Sequence, residues 1–87
     1  MILHLGGEFC CFFEDVLFVL KAEDCERSAQ TKRFLQASRD HGTMIVIDEK
    51  QIKSYVVTRT PQGNERIYAS PISVATLQRR AEKAAER

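Results

Sequence analysis

The chain has 87 residues, and 13 Lys and Arg residues against 12 Asp and Glu residues give it a formal net charge of +1. This length allows one hydrophobic core, so residues 1–87 are predicted to form a single domain. The charge is lower than that of a typical autonomous DNA-binding domain, so any nucleic-acid site must come from the distribution of charge along the chain.

No apolar stretch is long enough to span a bilayer, and no basic region followed by a long apolar core marks a signal peptide. These features predict a cytoplasmic protein without a membrane partner. Apolar residues make up 44% of the chain, and so short a chain must bury nearly all of them to offset the entropy of ordering its backbone. A monomer would be only marginally stable, which favours self-association through an apolar face.

The first twenty residues predict three short strands. Ile2–Leu5 ends at the turn pair Gly6-Gly7, and two apolar runs rich in strand formers follow at 9–13 and 16–20. The polar pair Glu14-Asp15 separates these two runs. It predicts either a bulge or a tight loop that makes the runs a hairpin.

A charged connection then leads into a helix that is predicted from Ser28 to His41, with Ser28 or residues 25–27 at its cap. Gly42 is well placed to end this helix in a left-handed conformation. The strand Thr43–Ile47 follows. The spacing i, i+3, i+4, i+7 defines an inner helix face of Thr31, Phe34, Leu35 and Ser38.

The runs 53–58 and 66–69 predict a hairpin, because Pro61-Gln-Gly-Asn64 between them favours a tight reversal. The final helix has two possible starts. Either Ser70 caps it with Pro71 at its first position, or Ser73 caps a helix that begins at Val74.

Apolar spacing places Val74, Leu77, Ala81 and Ala84 on the inner stripe of that final helix. Beyond Ala81 the helix is predicted to be exposed and frayed. The predicted fold is therefore α+β, with five or six short strands in a small, mostly antiparallel sheet. It has two helices, of which the second is at the C-terminus.

No group of residues indicates catalysis. His4 lies between two leucines and is predicted to be structural, and the cysteines Cys10, Cys11 and Cys25 have neither CxxC spacing nor a His at zinc-site spacing. All three are predicted to be buried free thiols of a reducing cytoplasm. The glycines match neither a phosphate-binding loop nor a dinucleotide fingerprint. We therefore predict a non-enzymatic protein without cofactor, metal or small-molecule substrate.

Four segments in register resemble one family. They are MILHLGG at 1–7, FLQASRDHG at 34–42, KSYVVT at 53–58 and IYASPIS at 67–73. Together they resemble the RemA/RemB family of bacterial extracellular matrix regulatory proteins, and they are closer to RemB. The resemblance covers nearly the whole chain and implies a DNA-binding transcriptional regulator of biofilm matrix genes that acts as a ring-like homo-oligomer.

The resemblance also implies a set of DNA-contacting residues. They are Lys32, Arg33, Arg39, Lys50 and Lys53. From the residues alone, a solvated helix face explains the first three as well as a phosphate-binding surface does. In a ring, a basic patch that is weak in one copy can bind through repetition along the phosphates of double-stranded DNA.

Two loops depart from the family pattern. Glu14-Asp15 replaces an Arg-Arg pair of RemA-type proteins, and Lys50-Gln-Ile-Lys53 replaces an Arg-rich loop. Carboxylates near phosphates and the loss of arginine forks would weaken DNA binding. The alternative prediction is therefore an oligomeric protein-interaction module, a partner of a RemA-type protein, without a DNA site of its own.

Overall fold

A computed structural model describes residues 1–85 of the chain, with side chains up to Ala84. The strands are β1 (Ile2–Gly6), β2 (Phe9–Phe12), β3 (Val16–Lys21), β4 (Met44–Val46), β5 (Ser54–Arg59) and β6 (Glu65–Ser70). The helices are α1 (Ala22–Cys25), α2 (Ala29–Asp40) and α3 (Val74–Ala85). The predicted α+β class is confirmed. The single-turn helix α1 was not predicted and lies within the charged connection before α2.

The strands form two sheets. β1 and β2 pair as an antiparallel hairpin, and the other four strands form a sheet in the order β3-β5-β6-β4. Within this larger sheet β4 runs parallel to β6, and the other pairs are antiparallel. The mostly antiparallel character is confirmed, but a single predicted sheet is replaced by a sheet and a separate hairpin.

A 3₁₀ turn at Phe13–Asp15 carries the chain from the hairpin to the larger sheet. Glu14-Asp15 therefore forms neither the bulge nor the hairpin loop that the sequence predicted. The two apolar runs on either side of this turn do not pair with each other, because β2 pairs with β1 and β3 pairs with β5. The backbone N–H of Phe13 donates to the carbonyl of Met1 at 2.9 Å, which closes the open end of the hairpin.

The larger sheet is covered on both faces. On one face Leu5 from β1 and Leu77 from α3 pack with the sheet residue Val56. On the other face Leu35 from α2 packs with Val57. Neighbouring residues of a strand point to opposite faces, so Val56 and Val57 belong to different layers of the core.

Helix α2 begins as predicted, since the Ser28 hydroxyl accepts a hydrogen bond from the backbone N–H of Thr31 at 3.2 Å. It ends at Asp40 with His41 as its C-cap, and the next residue, Gly42, has a φ of 73°, the left-handed conformation that favours glycine. Leu35 and Ser38 of the predicted inner face are buried, and Thr31 is half-buried. None of the helices within residues 1–85 is long and apolar enough to cross a membrane.

Helix α3 begins at the later of its two predicted starts. The Ser73 hydroxyl accepts a hydrogen bond from the backbone N–H of Thr76 at 3.2 Å, so Ser73 is the cap. The prediction of Ser70 as cap with Pro71 in the first turn is wrong, because the Ser70 hydroxyl is turned inward. Leu77 is buried as predicted, and the last two residues of the predicted frayed end lie outside the described residues.

Candidate functional site

The three predicted DNA-binding residues of α2 are all exposed. Lys32 and Arg39 are seven residues apart and so lie on one side of the helix, while Arg33 lies about 100° around it from Lys32. The ammonium of Lys32 is 3.7 Å from a carboxylate oxygen of Glu26. A carboxylate therefore already occupies one side of the most N-terminal cation of this set.

Lys50 and Lys53 lie between β4 and β5, and both are exposed. The pairing of Lys21 with Ser54 places this connection at the end of the sheet where β3 finishes. Lys53 lines a cleft with Lys21 and with Ser73, at the start of α3. The sequence prediction omitted Lys21, which looked like part of a charged linker.

An ion pair reduces the cationic character of that cleft. The ammonium of Lys21 is 2.9 Å from a carboxylate oxygen of Glu23. The hydrogen bond and charge of Glu23 raise the pKa of Lys21, and Lys21 in turn lowers the pKa of Glu23. Both side chains are exposed, so this pair is screened by salt.

The five predicted cations do not form a single cluster. Lys32 is in the first half of α2, near α1, whereas Arg39 is in its last turn, beside the start of β4. A helix of 12 residues is about 18 Å long, so the two ends of α2 lie near different ends of the sheet. Lys50 and Lys53 follow β4, at the end opposite to the one where Arg39 lies.

The two loops that depart from the family pattern are also far apart within one chain. Glu14-Asp15 precedes β3, and Lys53 is placed beside the other end of that strand. Six strand residues span about 20 Å. A carboxylate oxygen of Glu14 is 3.5 Å from the N-terminal ammonium. The acidic pair is therefore separated from the lysine loop within a protomer.

A further cationic surface lies on α3, and the sequence prediction missed it. Its residues are Arg79, Arg80 and Lys83, whose spacing in the helix was the available signal. Arg80 donates from Nη1 to the carbonyl oxygen of His4 at 3.0 Å. His4, Arg80 and Lys83 line one groove between β1 and α3. His4 is exposed there.

The cysteines differ in exposure. Cys25 is buried as predicted, and its thiol donates to the carbonyl of Lys21 at 3.4 Å. Cys10 is exposed, so its predicted burial is wrong, and Cys11 is half-buried on the inner side of the same strand. Burial raises the pKa of Cys11 to about 11, with smaller contributions from Cys10 and Asp15. The side chains that the structure describes contain no group of three or more potential ligands placed to hold a metal ion.

Large apolar side chains are exposed on several sides of the molecule. Ile2 and Phe12 face each other across the hairpin and are 53% and 57% exposed. Phe34 is also exposed, although the sequence predicted it on the inner face of α2. The remaining members of this set are Met1, Phe9, Phe13, Leu17 and Phe18.

An apolar cleft of about 430 Å³ lies between α3 and β3. Its apolar lining consists of Leu3, Phe13, Val16, Val19, Val74, Leu77 and Ala81. Gln78 and Glu82 are the polar residues of its lining, and both are exposed. Arrangements of this kind, apolar with a polar rim, are typical of surfaces that bind another protein.

Comparison with protein families gives one match. The model of a RemA-like family, described as extracellular matrix regulatory protein A-like, matches residues 2–81. This range contains all six strands, α1, α2 and most of α3. None of the curated proteins matches the chain.

Proposed function

Because this chain belongs to the RemA-like family of extracellular matrix regulatory proteins, we propose that it is a non-catalytic, homo-oligomeric regulator that binds duplex DNA in the cytoplasm. Biofilm matrix genes are its proposed targets, and a ring is its proposed assembly. The family is a regulatory one, which supports a role in gene control. In this proposal the DNA contacts come from Lys32, Arg33, Arg39, Lys50 and Lys53 of successive copies.

The exposed apolar side chains carry the proposal of self-association. Within the described residues, large apolar side chains from Met1 to Phe34 are 38–57% exposed. Exposed apolar surface of this kind marks protein–protein interaction sites. Since large apolar side chains contribute to this surface, a second copy of the chain is the partner that we propose for it.

Repetition is what makes DNA binding feasible for this chain. One copy offers a few exposed cations with carboxylates beside them, and its net charge is +1. An assembly repeats the same cations at regular intervals, and linked weak sites bind far more tightly than one site. Phosphates of duplex DNA are themselves regularly spaced, which suits such a repeated surface.

The ion pairs favour a second candidate function. Glu23 and Glu26 hold the ammonium groups of Lys21 and Lys32, so part of the cationic surface is already neutralised. In this alternative the chain is an oligomeric interaction module that binds a RemA-type protein and has no DNA site of its own.

Two measurements on the unaltered protein test the proposal. Light scattering at micromolar concentration should give a mass well above the 9.9 kDa of one chain. Binding to duplex DNA fragments should weaken linearly, on logarithmic axes, as salt increases, because phosphate contacts release counterions. Assembly without salt-dependent binding to any duplex would reject the DNA function and leave the interaction module.

A double variant and a single variant then test which surface binds the DNA. Lys50→Ala with Lys53→Ala should reduce the salt slope by about one unit for each lysine engaged per copy. Lys83→Ala is the comparison, because it removes a cation from the groove between β1 and α3, on the other face of the sheet from α2. If Lys83→Ala lowers the slope and the double variant does not, the DNA contacts the groove on α3 and the predicted residues are wrong.

A further inference from the structure

Strand β3 forms one edge of the larger sheet, and its pairing is irregular. Val16 pairs with Thr58 and Phe18 with Val57, so Leu17 is an extra residue in a β-bulge. Leu17 is exposed as a result. A bulge turns an edge away from a regular ladder and so opposes the addition of another strand. Any partner at this edge is therefore expected to dock through side chains.

The cleft between α3 and β3 opens beside this edge. Its wall includes Phe13, which is itself exposed, and the half-buried Val74 and Ala81. A cleft of about 430 Å³ has room for two large side chains. Leu77 forms its floor and is 2% exposed, so the lining joins directly to the core.

Among the described residues, Ile2 and Phe12 are the two large apolar residues with the greatest exposure. The two residues lie opposite each other on the antiparallel hairpin, which holds their side chains side by side. Their neighbours Leu3 and Cys11 point inward, toward the core. Ile2 and Phe12 therefore project from the outer face of the hairpin and do not line the cleft between α3 and β3.

The groove beside Ile2 is basic, and the rim of the cleft is acidic. Ile2 lines the groove that also contains Arg80 and Lys83, whereas Asp15 is an acidic residue that lines a separate pocket with Ile2 and Phe12. Glu82 lies on the rim of the cleft. Docking of the hairpin of one copy at the cleft of another would bring these opposite charges near each other, which favours that orientation over its reverse.

From these observations we propose that the cleft between α3 and β3 binds Ile2 and Phe12 of a second copy of this chain. The inference rests on the proposed self-association and names its two surfaces. In the proposed contact each copy offers its hairpin to one neighbour and receives the hairpin of another, so the contact is heterologous. Repetition of such a contact gives a closed ring or an open filament, depending on the rotation between neighbours.

Two variants block the two sides of this contact. Phe12→Asp places a charge on the hairpin surface, and Ala81→Arg fills the cleft with a long cationic side chain. Gln78→Arg is a second cleft variant, because Gln78 is exposed on the rim and its replacement leaves the core intact. Phe34→Asp is the matched control, since it puts the same charge on an exposed aromatic position of α2.

Light scattering should give the mass of a monomer, 9.9 kDa, for Phe12→Asp and for each cleft variant, and an unchanged assembly for Phe34→Asp. Circular dichroism should confirm that each variant is folded. Mixing Phe12→Asp with Ala81→Arg should restore association as 1:1 dimers, because one copy retains its cleft and the other retains its hairpin surface.

The alternatives give distinct results. A monomeric unaltered protein would reject the proposed self-association itself. If the unaltered protein assembles and the hairpin and cleft variants keep its mass, self-association stands and the two surfaces are wrong. Monomeric variants that fail to pair on mixing, at concentrations where the unaltered protein is fully assembled, would overturn the heterologous contact. Disruption by Phe34→Asp would move the contact to α2.

Discussion

The hydroxyl of Ser70 donates a hydrogen bond to the carbonyl oxygen of Leu5, and both residues are fully buried. The same hydroxyl accepts a hydrogen bond from the backbone N–H of Ile72 at 3.0 Å. One side chain at the end of β6 therefore joins the hairpin to the larger sheet and to the turn before α3. It fixes the position of the hairpin whose outer face bears Ile2 and Phe12.

Replacement of Ser70 by Ala should destabilise the fold. It leaves the buried Leu5 carbonyl without this donor and the Ile72 N–H without this acceptor, and an unpaired buried polar group costs about 1–3 kcal/mol. Urea unfolding should therefore show a lower midpoint with an unchanged slope. Thr60→Ala is the control, because its bond to the Asn64 N–H lies in an exposed loop and its loss should change stability by about 0.5 kcal/mol or less. Equal midpoints for the two variants would contradict this role of Ser70.

The cap of α3 is tested by a second serine. Ser73→Ala should lower the free energy of unfolding by about 1 kcal/mol, because the Thr76 N–H loses its acceptor. Ser28→Ala removes the equivalent cap of α2 and should have an effect of similar size. Ser73→Asp should retain most of the stability, since a carboxylate also accepts this bond. Loss of stability in Ser73→Asp equal to that in Ser73→Ala would argue against capping.

Local signals in the sequence were sufficient for some elements. Ser28 caps the start of α2 and Gly42 follows its end in a left-handed conformation, both as predicted. Caps and left-handed glycines depend on a few neighbouring residues, so they can be recognised in a sequence. The choice between Ser70 and Ser73 was not local. It was decided by Leu5, whose carbonyl attracts the Ser70 hydroxyl across the fold.

The pairing of the first three strands could not be predicted from local sequence either. The apolar runs before and after Glu14-Asp15 are similar in composition, and nothing in either run specifies its partner. β2 pairs with its neighbour β1, whereas β3 pairs with the distant β5. Exposure of Phe34 and Phe12 could not be predicted either, because apolar residues at strand and helix spacing indicate a core unless the covering layer is known.

The half-buried thiol of Cys11 should make stability depend on pH in the alkaline range. Burial raises its pKa from the ordinary value of 9.0 to about 11, so the unfolded chain releases this proton at a lower pH than the folded chain does. Its contribution to stability is thus complete below pH 9 and is lost as the pH rises to about 11. Unfolding measured across this range should show a smaller decline for Cys11→Ala than for the unaltered protein. Cys10→Ala is the control, because Cys10 is exposed on the same strand, and an equal effect of both variants would contradict the assignment.

The carboxylate of Glu26 is the feature of α2 that most directly opposes the proposed DNA contact of Lys32. Glu26→Gln removes this carboxylate and leaves Lys32 free to contact a phosphate. If DNA lies on this side of α2, the slope of log affinity against log salt should steepen by about one unit for each Lys32 engaged. Stability should change little, because exposed ion pairs contribute about 0–1 kcal/mol.

Glu8→Gln separates a local effect from a change of net charge. Glu8 is exposed in the turn between β1 and β2, so its replacement makes the same change of charge far from Lys32 along the chain. A local contact predicts a steeper slope for Glu26→Gln alone, whereas a general electrostatic attraction predicts similar, small increases in affinity for both variants. If Glu26→Gln leaves the slope of a DNA-binding protein unchanged, Lys32 does not contact phosphate, and the site must be formed by the other cations.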